Sequence, residues 1–109
     1  PLLTAGATAI FCYNDTAAIG LLAACHKRGF FVPDNLSIIG FDDIDMAAYT
    51  FPPLTTIRQP RFELGQRAMQ MILNFLAGQE PENQIVSTEL VERQTTARLL
   101  TGKNSTLAG

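Results

Sequence analysis

Three short apolar runs in this chain each end in polar side chains able to trade hydrogen bonds with hydroxyl groups. Thr8–Tyr13 is followed by Asn14 and Asp15, Leu36–Phe41 is followed by Asp42 and Asp43, and the run from Leu54 closes on Gln59. A carboxylate offers two acceptor oxygens to neighbouring hydroxyls, and a carboxamide donates and accepts at once. None of the five residues is a strong nucleophile. The set is polar, uncharged or acidic, which suits a neutral polyol far better than a phosphate.

Each of these residues also has a purely structural use. Asp15 and Asp43 read first as caps of the helical segments that follow them. Gln59 is open between capping a long helix and touching a ligand, and Asn14 is equally open. Asp42 ends its run with no helix to cap, so for Asp42 a ligand contact is the better reading. Other chemistries have less to stand on. Asp42, Asp43 and Asp45 form an acidic cluster that a divalent cation could occupy. However, the central Gly and terminal Glu of a calcium loop are absent, and neither GxGxxG nor GxxxxGK[ST] occurs. The single histidine, His26, falls in the basic last turn of a helix, where the helix dipole favours it. With no second histidine and no Ser or Cys partner at these ends, a hydrolytic triad lacks its base. No catalytic residue, metal site or cofactor is therefore expected, and the chain does not read as an enzyme.

The elements that must position these residues alternate. Thr8–Tyr13 has the character of a strand buried on both faces. Thr16–Arg28 has good helix formers, basic residues in its last turn and Gly29 as a stop. A second strand spans Leu36–Phe41, a short helical turn Met46–Tyr49, and a third strand Leu54–Gln59. Pro60 suits a helix start, and the spacing of Leu64, Ala68, Met71, Ile72, Phe75 and Leu76 predicts a helix from Arg61 to Ala77, with Glu63 and Arg67 paired four apart. Gln84–Thr96 reads as one strand or a broken pair, and Thr101–Gly109 as a frayed tail. Alternating strands and helices predict an α/β fold: a parallel sheet with flanking helices and right-handed crossovers. In open sheets of this kind, ligands bind beyond the carboxyl ends of the strands, where the polar set lies. The first helix is apolar nearly all round, and the second has a wider apolar face than so few strands can cover. Both faces are expected to meet further protein.

The totals agree with a soluble globular domain: 109 residues, 47% hydrophobic and 17% charged. No apolar run reaches the roughly 18 residues of a membrane span, and no secretory signal is recognisable at the start. The formal net charge is −2 with eight scattered basic residues, so the segment is not expected to grip nucleic acid by itself. Cys12 and Cys25 lie in apolar surroundings without metal-ligand spacing, and read as reduced core residues of a cytoplasmic protein.

Ala9–Asp15 followed by Ala18-Ile-Gly20, Val32–Asp43, Pro52–Pro60 and Leu90–Thr96, in this order and spacing, resemble the LacI/GalR family of transcriptional regulators. The resemblance covers roughly Thr8 to Ala97. It implies the C-terminal part of a two-lobed effector-binding domain of the type I periplasmic-binding-protein-like kind, with the ligand in the cleft. It places about residues 8–59 and 88–97 in the C-terminal lobe and about 60–87 mainly in the other lobe. Asn14 and Asp42 would bind effector hydroxyls, Gln59 would lie near cleft and hinge, and Asp15 would stand beside the site and shape it. Ile19, Leu22 and Phe51 would contribute to a homodimer. The implied partners are a small-molecule effector, most readily a sugar, and operator DNA held through an N-terminal domain outside this sequence. The competing identity is an extracytoplasmic sugar-binding protein serving transport or chemotaxis, which shares this fold.

Overall fold

The structure, a computed structural model, describes residues 5–100; the first residues of the expected opening loop and the expected tail Thr101–Gly109 lie outside them. The elements run β1 (Ala9–Phe11), α1 (Asp15–Lys27), β2 (Ser37–Ile39), a 3₁₀ turn (Asp45–Tyr49), β3 (Thr56–Arg58), α2 (Arg61–Leu76) and β4 (Glu89–Val91). The strands are shorter than their apolar runs, while both helices lie within a residue of the expected bounds. The chain divides into two compact units, one formed by Pro1–Arg58 with Leu90–Gly109 and the other by Gln59–Glu89.

In the first unit, β1 and β2 pair in parallel, Ile10 opposite Ile38, and α1 provides the crossover between them. Parallel bridges Ile39–Thr55 and Asp42–Arg58 continue the pairing from β2 to the segment that contains β3. β4 pairs with β3, so the expected single sheet is two two-stranded ladders joined by isolated bridges. The core lies under α1: Ala18, Leu22 and Cys25 meet Leu36, Ile38, Ala47 and Leu54, all buried. Each fully buried Leu or Ile contributes about 1.5–3 kcal/mol of transfer free energy, which makes Leu36, Ile38 and Leu54 the main apolar anchors. Gly29 follows α1 with φ 73°, the left-handed stop expected of it. The outward face of α1 is made of Thr16, Ala17, Gly20, Ala23 and Ala24, small and exposed, so this helix contributes few large side chains to solvent.

Threonine hydroxyls fasten the closing segment to the unit. Thr95 Oγ1 donates to Ile38 O (2.6 Å) and accepts from Thr55 N (2.9 Å), and Thr55 Oγ1 lies 3.2 Å from Thr96 Oγ1. Arg93 N also donates to Thr55 Oγ1. Thr55, Thr56 and Thr95 have essentially no accessible surface, yet none of them strands a polar side-chain atom.

The second unit is α2 with the segment after it. The Glu63–Arg67 pair forms at 2.6 Å, as the spacing predicts, and Arg67 Nη1 donates to Gln84 Oε1. No α2 residue is buried, and Phe62, Phe75 and Leu76 are all more than half exposed. The expected strand over Gln84–Thr96 reduces to Glu89–Val91; Ile85 is 95% exposed, and a strand without a neighbour has no ladder to join.

Candidate effector site at the strand ends

Backbone bonds line up the carboxyl ends of the strands. Asp15 N donates to Phe41 O at 2.9 Å and Asp42 N donates to Ile57 O at 2.9 Å. The residues leaving β1 therefore abut those leaving β2, which abut the end of β3. Asn14 sits in extended backbone at the mouth of α1, and its Oδ1 accepts from Ala17 N at 2.8 Å. Asn14, not Asp15, is thus the cap of α1, which corrects the capping role expected of Asp15. Gln59 follows Arg58 directly and is the first residue of the second unit.

Asp15 does something else. It has no accessible surface; its Oδ1 accepts from Thr56 Oγ1 at 2.5 Å and its Oδ2 from Ile44 N at 2.9 Å. The carboxylate thereby ties the start of α1 to β3 and to the loop after β2. Gly40 makes room for it: a Cβ at that position would fall within van der Waals distance of Asp15 Oδ1 and 3.0 Å from Leu54 Cδ2.

Asp42 and Asp43 are the only described non-glycine residues with positive φ, at 118° and 54°. A left-handed conformation at such residues costs of order 1–3 kcal/mol each and persists only where the surroundings enforce it. The surroundings here are two guanidinium groups. Asp43 Oδ2 meets Arg58 Nε at 2.6 Å and Oδ1 meets Arg93 Nη2 at 2.7 Å, with the Asp43 side chain only 9% exposed. Arg93 Nη1 donates in addition to Leu54 O at 2.8 Å. Asp43 was expected to cap the turn after it. The 3₁₀ turn instead begins after Ile44 with no side-chain cap, so that expectation is corrected. With both oxygens engaged by arginine, Asp43 is also a poor ligand for a cation; among the described residues no three acidic, His or Cys side chains converge on one point.

Burial alone pushes the Asp43 carboxyl up, but hydrogen bonds from Arg93 and Arg58 and their charges outweigh it and hold the group below the usual carboxylate range. The stabilisation is present in full above the unfolded value of about 3.9 and is lost as pH falls through the lower folded one. Acid unfolding of an Asp43→Asn variant is therefore expected to depend less steeply on pH below about pH 4 than the parent. Equal slopes in circular-dichroism titrations would refute the linkage.

Of the other expected residues, His26 is exposed near the end of α1. Cys12 and Cys25 are buried free thiols. Burial raises both pKa values, opposed in Cys25 by the Arg28 charge, so neither thiol is activated. Leu22 is a core residue with 8% exposure. Ile19 is partly buried against the core, and Phe51 is 98% exposed. Thr56, Gly40 and Arg93 are not among the expected residues. A glycine inside a buried strand is a sign of close approach, and Gly40 between Ile39 and Phe41 carried that signal. A threonine pair or a lone arginine in an otherwise unremarkable run carries none.

The periplasmic binding protein-like domain family matches residues 2–96. The chain belongs to that family, and its relatives place it with the LacI-type regulators. It is 42% identical over 94 residues to the HTH-type transcriptional repressor PurR of Vibrio campbellii, covering 84% of this chain and 28% of that protein. It is 44% identical over 94 residues to the repressor CytR of Escherichia coli, again covering 84% of this chain and 28% of that protein. Among solved structures, a LacI family regulator from Enterococcus faecium with bound ribose superposes with a TM-score of 0.76 at 39% identity, over 85% of this chain and 35% of that one. The lac repressor dimer bound to operator and the anti-inducer ONPF gives 0.78 at 36% identity, over 84% of this chain and 32% of that one. The chain thus spans about a third or less of the length of these relatives. No helix among the described residues is long and apolar enough to cross a membrane.

Proposed function

We propose that this chain is the effector-sensing portion of a cytoplasmic, DNA-binding transcriptional repressor that responds to a sugar or a similar small polyol. The observation that carries the reading is the alignment of the strand ends, where the Asp15–Phe41 and Asp42–Ile57 backbone bonds bring Asn14 and Asp42 to one edge. Asp42 accepts bonds from effector hydroxyls, Asn14 contributes its amide, and Gln59 marks where the chain passes to the other lobe. Asp15 shapes the site from beneath. Residues about 8–59 and 88–97 form one lobe of the effector domain and about 60–87 belong mainly to the other. The relatives are repressors, which favours this reading over a transport or chemotaxis protein.

Effector held at these strand ends favours one conformation of the regulator, and a dimer transmits that bias to DNA-binding heads outside this chain. Ile19 and Phe51 contribute to the dimer face, and the exposure of Phe51 supports this. The test is a thermal-shift screen of the full-length protein against pentoses, hexoses and nucleosides, followed by calorimetry of the best binder. Asp42→Ala is expected to weaken that binder about 100-fold, or about 2.7 kcal/mol, with the fold retained, although Ala relieves none of the positive-φ strain at this position. Unaltered affinity in Asp42→Ala, or no binder in the screen, would end the assignment.

A further inference from the structure

Asp43 is joined to the two places where the chain passes between its compact units. Arg58 is the last residue before the chain leaves the first unit, and Arg93 comes three residues after its return at Leu90. Both arginines converge on the one carboxylate, from 15 and 50 residues away in sequence. The same carboxylate belongs to the second of two consecutive left-handed residues, the first being Asp42. The turn is anchored on its far side by the bond from Ile44 N to Asp15.

We propose that Asp43 is a positioning residue that couples the presentation of Asp42 to the departing and returning strands through Arg58 and Arg93. The proposal rests on the reading of Asp42 as an effector contact only for its functional meaning; the coupling itself is a property of the chain. A backbone forced into two adjacent unfavourable conformations returns toward ordinary values when its restraint is removed. Displacing either arginine therefore lets the Asp42–Ile44 turn relax, while a change at Asp42 is felt at both connecting strands. Two restraints acting through one carboxylate are not independent, so their removal is not additive.

Amide hydrogen exchange in the full chain, resolved by NMR, tests this without a ligand. The readout is the Asp42 and Ile44 amides, bonded to Ile57 O and Asp15, measured against the Cys12 amide, bonded to Ile39 O. Arg93→Met is expected to raise exchange at Asp42 and Ile44 at least about tenfold more than at Cys12. Arg58→Met, whose side chain is 49% exposed, is expected to raise it severalfold at the turn and not at Cys12. Arg93→Lys keeps the charge and restores part of the protection. Adding Arg93→Met to Asp43→Asn changes little beyond Asp43→Asn alone. The proposal is overturned if turn and reference amides rise by the same factor, if the turn does not respond, or if the two substitutions add in full. Failure of the effector reading is seen separately, as unaltered affinity in Asp42→Ala with the turn still responding to Arg93→Met.

Discussion

Asp15→Ala is expected to lower the unfolding free energy by about 2–5 kcal/mol, the range expected when two donors lose their common acceptor. The substitution deletes the acceptor for two donors, the fully buried Thr56 hydroxyl and the part-buried Ile44 amide. Each stranded donor costs about 1–3 kcal/mol, and a small void is added. Asp15→Asn keeps one acceptor oxygen and the shape, so its loss is expected to be smaller, with an amide nitrogen now opposing one of the two donors. Urea unfolding followed by circular dichroism measures both, and a loss below about 1 kcal/mol for the alanine variant would mean that water or another group replaces the carboxylate.

The second large effect is expected from Gly40→Ala, at about 2–4 kcal/mol, at or above the usual cost of overpacking. The added methyl meets Asp15 Oδ1 and Leu54 Cδ2. Asp15 is pinned from two sides and Leu54 is fully buried, so neither yields cheaply. Because the collision is with the carboxylate, the double variant Gly40→Ala/Asp15→Ala is expected to lose at least about 1 kcal/mol less than the sum of the single losses. Strict additivity in the same unfolding series would show that the methyl is accommodated elsewhere.

The parts of the fold legible in the sequence were those written in local chemistry. Helix α2 appeared through the spacing of Leu64, Ala68, Met71 and Phe75, and its end through Gly78. The strands of the first unit appeared as apolar runs closed by polar residues, and the parallel order followed from alternation. What stayed hidden was written in contacts between distant residues. Asn14 and Asp15 are both good caps by type, and only the backbone geometry decides that Asn14 caps while Asp15 turns inward. Asp43 looked like a cap because neither Arg58 nor Arg93 is near it in sequence. Because α1 is apolar on nearly every side, its periodicity could not say that Ala18, Leu22 and Cys25 form the face that meets the sheet. The segment before β4 looked like a strand because Ile85 and Val86 have the right types, but pairing is decided by a neighbour and not by propensity.

The hydroxyl bonds that fasten Thr95 and Thr96 constrain alignment in a way that greasy contacts do not. An aliphatic strand can slide and find new partners of similar worth, whereas a slip of one residue here would turn matched donors and acceptors against methyl groups and bare carbonyls in a dry interior. The returning strand is therefore keyed to a single register.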